Sequence, residues 1–363
     1  MPTIANHRPR SLDDRDPTPI DALAKLPAEY AIPDRAPSPA EARAYCERLA
    51  STHYENFPVA TWFLPRRLRP HFYSIYVYCR IADDLGDEIG DPQRALALLD
   101  DWERELEATY ASPGVVIPSE ARPSEARERE SRPALSEVEG GPYNPCKGGP
   151  RHPVFIALRE TIRAYQIPQY EFSDLLKAFR QDQTVHRYER FDDVLGYCRY
   201  SANPVGHLVL YVCGYRDEER QRLADFTCTA LQLANLWQDV TVDWQKGRVY
   251  LPLEDMRRFG LSERDIAERR PTPEFLKLMK FEVERTREWF ERGLPLVDRV
   301  DRELAIDIAL FSRGGQEILK AIERQGYDVL CHRPVISRRR KLWLLARAAL
   351  NRVIGSSGHR EIR

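Results

Sequence analysis

A chain of 363 residues, 42% hydrophobic and 31% charged, fits a soluble globular protein of one large domain or two modest ones. Its formal net charge of −1 gives no global pull toward nucleic acid or an anionic membrane. The seven cysteines are scattered and form no Cys-x-x-Cys pair, which argues against a disulfide framework or a zinc site and fits a reducing cytoplasm.

Residues 1 to about 36 are rich in Pro, Asp and Arg and read as a mobile arm, with no signal-peptide pattern. Ser38-Pro39-Ala-Glu41 then carries a capping box with Pro in the first turn, opening a helix to about Ser51. His71 to Ile89 reads as a long helix ending at Gly90, and 92–110 as another, with Leu96, Leu99, Trp102 and Leu106 at helical spacing. From 112 to 150 the chain is Pro, Glu, Ser, Arg and Gly with a repeated Ser-Glu-Ala-Arg, a low-complexity insertion with little to bury. Helical periodicity resumes over Pro153–Tyr165, Phe172–Asp182, Phe191–Tyr215 (strained by Pro204), Glu218–Asp243, Pro273–Arg292 and Arg302–Arg324. No useful length alternates as a strand, so the expected fold is all-α, with long helices around a central cavity and one catalytic domain over 37–330. The remaining tail, 331–363, is basic and amphipathic from Ser337. It could dock on an anionic membrane surface, or pack on the body as a last helix with a basic outer side.

Two of these helices carry the chemistry. In Asn235-Leu-Trp-Gln-Asp239-Val-Thr-Val-Asp243-Trp-Gln-Lys246-Gly-Arg248-Val-Tyr250, Asp239 and Asp243 stand four apart and share a helical face with Asn235 and Gln232. A polar stripe on a core-like helix must meet water, a metal or a ligand. Asp83 and Asp87 repeat the spacing, with Arg80 and Tyr76 on the same side. A lone acidic pair of this kind is usually a solvated face; two such pairs, each on an apolar helix with an arginine nearby, would make an oxygen-rich site when facing each other. Such a site suits Mg²⁺ and leaves room for phosphate and water. The bland alternatives are an Arg80–Asp84 salt bridge, Tyr250 as a core residue, and structural roles for His186 and His207.

These segments, with His53-Tyr-Glu-Asn-Phe57 and Tyr197-Cys-Arg-Tyr-Ser201-Ala-Asn203-Pro204-Val-Gly206, resemble the squalene/phytoene synthase family from about His53 to Gln325. The resemblance implies the isoprenoid synthase fold. It implies that Asp83, Asp87, Asp239 and Asp243 hold Mg²⁺ bridging a diphosphate, which Arg80, Lys246 and Arg248 contact, with His53 and Tyr250 adding hydrogen bonds. It places Gln232 and Asn235 beside the metal site. Phe57, Tyr76, Tyr197 and Phe311 are aromatic candidates for holding a carbocation, with Tyr76 and Tyr197 raised by the resemblance. Ser201 to Pro204 and Trp237-Gln238-Asp239 are most similar to the hydroxysqualene synthase branch of hopanoid-type pathways. That branch implies a lyase taking presqualene diphosphate and water, working beside other enzymes of squalene synthesis. The sequence departs at Val242 from the resemblance, in which many relatives carry Glu, and has no Gly-x-Gly-x-x-Gly fingerprint for a nucleotide reductant. The rivals are a synthase condensing farnesyl or geranylgeranyl diphosphate, a non-catalytic helical assembly factor, and a membrane-binding module built on the tail.

Overall fold

The computed structural model describes residues 30–52, 65–115 and 149–336. His53, Phe57, most of the arm, the insertion from 116 to 148 and the tail from Ser337 lie outside the described residues.

The first helix, α1 (Pro39–Thr52), starts at its capping box: Ser38 N and Oγ both donate to Glu41 Oε2 at 2.7 Å, and Glu41 N donates to Ser38 Oγ at 3.3 Å. Pro70 sits in the first turn of α2 (Arg69–Asp87), which buries Phe72, Ile75, Tyr78, Ile81 and Leu85 on one side. The Asp91 carboxylate caps α3 (Pro92–Tyr110), and His152 caps α4 (Pro153–Tyr165). Next in the chain come α5 (Gln169–Gln181), α6 (Phe191–Ser201), α7 (Asn203–Val212), α8 (Glu218–Gln238) and the short α9 (Val240–Gln245). Two further short helices, α10 (Leu253–Arg258) and α11 (Glu263–Ala267), precede α12 (Pro273–Gly293), a 3₁₀ turn (Leu294–Asp298) and α13 (Arg302–Arg324). Among the described residues no β-strand forms; a single parallel bridge joins Arg187 to Val249. The all-α expectation holds.

Three expectations are corrected. The helix expected over Phe191–Tyr215 is two, broken at Ala202 (φ −123°, ψ −45°), because Pro204 lacks an N–H to continue the ladder and its ring would clash with the carbonyl four residues earlier. The helix expected over Glu218–Asp243 breaks at Asp239 (φ −106°, ψ 15°), although Asp243 N still donates to Asp239 O at 2.8 Å. The N-terminal boundary at 36 is too late: Tyr30 is buried and its hydroxyl donates to Asp84.

Among the described residues a small apolar cluster joins α7, α8 and α13 through Leu210, Leu223 and Leu304, and two large ones hold most of the helices. One gathers Tyr78, Trp102, Phe155 and Phe172 from α2 to α5, with the Trp102 and Phe155 rings 4.6 Å apart. The other surrounds Trp237 of α8, whose indole N–H donates to Thr286 Oγ1 of α12 at 2.8 Å. Against α8, α13 approaches so closely that a Cβ on Gly315 would collide with the Phe290 ring and lie 2.7 Å from Leu231 Cδ2.

Candidate active site

The C-terminal half of α2 presents its carboxylates to the loop that follows α9. Arg248 Nη1 donates to Asp87 Oδ1 at 2.8 Å, and Lys246 Nζ donates to Asp87 Oδ2 at 3.0 Å. This loop is held from behind: Val249 N donates to His186 O at 2.9 Å, and Arg187 Nη1 donates to Gly247 O at 2.5 Å. Asp87 therefore joins the two acidic segments, bringing Asp83, Asp87, Asp243, Lys246 and Arg248 into one neighbourhood. Arg80 turns instead to Asp84, its guanidinium 2.7 Å and 3.1 Å from the two carboxylate oxygens, and stays half exposed.

Electrostatics confirm the crowding. Burial, then repulsion from Asp87 and Asp84, pushes the Asp83 carboxyl up to about 7. Burial, then Asp239, pushes Asp243 up to about 7 as well. Asp87 is pushed up by burial, but Arg248 and Lys246 outweigh this and hold it below the usual carboxylate range. Asp239 is engaged by Arg333, whose Nε and Nη2 both donate to it, Nη2 at 3.0 Å. Gln238 Nε2 donates to Pro334 O at 2.5 Å, so residues 333 and 334 lie against the end of α8 rather than apart from the body. On α8, Asn235 is exposed and Gln232 partly so, one and two turns before Asp239.

A further carboxylate, Asp182, follows α5. It accepts the hydroxyls of Tyr197 and Tyr250, each at 3.0 Å, and Tyr188 stacks on Tyr250 at 5.4 Å. Tyr197 and Tyr250 are thus buried but polar-anchored, and burial pushes Asp182 up to about 6 despite Arg248. Neither Asp182 nor Arg333 was singled out from sequence: Asp182 has no acidic partner at helical spacing, and Arg333 lies in the stretch read as tail. His207, expected to be structural, is buried between Glu171 and Asp225, at 3.0 Å and 2.8 Å. His186 contributes its backbone carbonyl to the loop.

Beside the acidic groups lies an apolar cavity of about 310 Å³, with Tyr76 and Cys79 of α2, Thr227 and Leu231 of α8, and Asp307 and Phe311 of α13 among its walls. On α2 the cavity wall at Cys79 leads one turn on to Asp83; on α8 the series Thr227, Leu231, Asn235, Asp239 runs along one face. The cavity and the carboxylates therefore occupy the same faces, about 6 Å apart along α2 and about 12 Å along α8.

Among the described residues, no three carboxylate, histidine or cysteine side chains converge into a metal cage. The donors are instead two carboxylate pairs, and the raised Asp83 and Asp243 carboxyls need positive charge to ionise fully. That set fits a hard cation such as Mg²⁺, which takes one or two carboxylates and completes its shell with phosphate and water.

A model of the squalene/phytoene synthase family matches residues 50–340. The 15-cis-phytoene synthase of Synechococcus elongatus is 27% identical over 345 residues, covering 92% of this chain and 99% of its own. The solved squalene synthase HpnC from Alicyclobacillus acidocaldarius is 39% identical with a TM-score of 0.67, covering 85% of this chain and 99% of that one. A dehydrosqualene synthase at 24% identity and a TM-score of 0.68 shares the fold over 86% of this chain and 97% of its own. With a cavity ringed by helices, two facing acidic segments and the family match over most of its length, the chain belongs to the squalene/phytoene synthase family, enzymes of the isoprenoid synthase fold that act on prenyl diphosphates.

Proposed function

We propose that this protein is a hydroxysqualene synthase, which ionises presqualene diphosphate, rearranges the cation and captures it with water. The observation that carries this reading is the 39% identity to squalene synthase HpnC across 99% of that chain. Two local features support it. Val242, 38% exposed beside Asp243, puts an apolar side chain where the wider family carries an acid, leaving Asp239 and Asp243 as the second pair. The branch-like residues also have structural work: Asn203 Oδ1 accepts from Thr229 Oγ1 at 3.0 Å, tying the break between α6 and α7 to α8, while Gln238 holds residue 334.

In this reading Lys246 and Arg248 exchange Asp87 for the oxygens of the diphosphate, and Arg80 exchanges Asp84 for them. Asp83, Asp87, Asp239 and Asp243 would hold Mg²⁺, which when bound neutralises the departing pyrophosphate. The hydrocarbon chains lie in the apolar cavity, where the Tyr76 and Phe311 rings face the cation. Tyr197 and Tyr250, held by Asp182, keep the floor of the site rigid and dry. The match to phytoene synthases favours a second reading, head-to-head condensation of two prenyl diphosphates.

Incubation with presqualene diphosphate and Mg²⁺ in heavy-oxygen water, with and without NADPH, tests this. The expected product is labelled hydroxysqualene without NADPH. Squalene formed only with NADPH would establish a reductive synthase. Presqualene diphosphate or phytoene accumulating from farnesyl or geranylgeranyl diphosphate would establish a condensing one.

A further inference from the structure

The apolar cavity contains a polar pair that ionisation of a diphosphate does not use. Asp307, 2% exposed, stands on the α13 wall between Leu304 and Phe311. Thr227, 6% exposed, stands on the α8 wall, and its Oγ1 is buried with no hydrogen-bond partner. Buried hydroxyls are normally satisfied. Elsewhere in this protein Thr109 and Thr286 donate to the carbonyl four residues earlier, at 2.8 Å in both cases; Thr227 does not. An unsatisfied buried hydroxyl in a hydrocarbon-lined space is costly for a pocket that only holds isoprenoid chains. That hydroxyl, with the Asp307 carboxyl group on the facing wall, suits a pocket that also holds one water, which needs about 30 Å³ and two or more polar partners. The cavity, about 310 Å³, has that room.

We propose that Asp307 and Thr227 hold the water that captures the carbocation, with Asp307 as its base. This rests on the water-capturing reaction proposed above. A lone pair of the water oxygen forms the new C–O bond to the cationic carbon. One O–H bond of that water breaks, and its proton passes to the Asp307 carboxylate, leaving a neutral alcohol and a neutral carboxyl group. Thr227 accepts from or donates to the water and orients its lone pair. No oxidant or reductant enters. A local base is required because the pyrophosphate departs at the other end: Thr227 precedes Asp239 by twelve residues, about 18 Å along the helix axis. When ionised, Asp307 also attracts the cation toward the water before capture.

The test measures pyrophosphate release and the triterpene products from presqualene diphosphate, with Mg²⁺ in heavy-oxygen water, for full-length wild type, Asp307→Asn and Thr227→Val. Asp307→Asn is expected to release pyrophosphate within a few-fold of wild type. Its ratio of labelled alcohol to hydrocarbon should fall about 100-fold, the usual scale for a lost general base. Thr227→Val should shift the ratio the same way by less. Wild type giving labelled alcohol and a folded Asp307→Asn giving an unchanged ratio would overturn this proposal and leave the reaction standing. Wild type giving no labelled alcohol would overturn the reaction itself and this step with it. If Asp307→Asn does not fold, Thr227→Val decides: an unchanged ratio overturns the proposal and a lowered one supports it.

Discussion

At Asp87 two cations share one carboxylate, and the cost falls on its neighbours. With Lys246 and Arg248 drawn to Asp87, burial and then repulsion from neighbouring carboxylates leave the Asp83 and Asp243 carboxyls near 7. Asp83→Asn removes repulsion rather than a core contact. Its melting temperature should equal or exceed that of wild type while turnover drops at least about 100-fold. Adding Mg²⁺ with pyrophosphate should raise the wild-type melting temperature and leave that of Asp83→Asn unmoved, which scanning fluorimetry reads directly. His207 shows the opposite economy. Burial alone would lower its pKa, but the hydrogen bonds that its ring N–H groups donate to Asp225 and Glu171 outweigh this and raise it from 6.5 to about 9. A histidine raised in the fold contributes its full stability below 6.5 and loses it as pH rises through 9. Urea titrations of wild type should therefore show stability falling across that window. His207→Ala should lose the slope and about 3–5 kcal/mol at pH 6, because a buried ion pair is broken.

Among the elements, what was legible in the sequence was what local chemistry decides. The capping box at Ser38 and Glu41, the proline-led starts of α3, α4 and α12, and the ends of α13 could be read from neighbours a few residues apart. The acidic spacing at Asp83, Asp87, Asp239 and Asp243 was equally visible. The break at Asp239 was not, because apolar periodicity runs on through Val240. The end of α8 instead meets Arg333 and Pro334, contacts from ninety-odd residues away that no local pattern encodes. Asp182 was hidden for the same reason: its tyrosine partners come from α6 and from the loop after α9. Gly315 is a further case, since only the approach of α13 to α8 and α12 shows that no side chain fits there. Gly315→Ala should destabilise by about 1–3 kcal/mol through overpacking, and by pressing on Leu231 should narrow the cavity and raise KM for the prenyl substrate. A denaturation midpoint and a KM equal to wild type would show that the helices can part without cost.

For the molecule as a whole, the stretch from 116 to 148 leaves and rejoins the body at one place. A Cβ on Gly149 would lie 3.2 Å from Ser112 Oγ, and Arg151 N donates to Glu105 of α3 at 2.7 Å. A four-residue Gly-Ser link can span that gap. Replacing 116–148 by such a link shortens the loop by about three doublings, worth about 2 kcal/mol in closure entropy. The expected variant has turnover within a few-fold of wild type and a melting temperature no lower; a folded, inactive variant would give the stretch a direct role in turnover. The contact of Arg333 with Asp239 carries a consequence of another kind, in the order of manufacture. A chain is made from its N-terminus and folds as it emerges. Every helix described here, from α1 to α13, is complete by residue 324, yet the cation that meets Asp239 arrives nine residues later. A chain that stops in that interval has all the residues of its helices but leaves Asp239 without Arg333, and one that stops before 329 also leaves the Trp237 cluster without Val329 and Leu330. The last stretch of synthesis therefore completes two things together: the core around Trp237, through Val329 and Leu330, and the charge around Asp239, through Arg333.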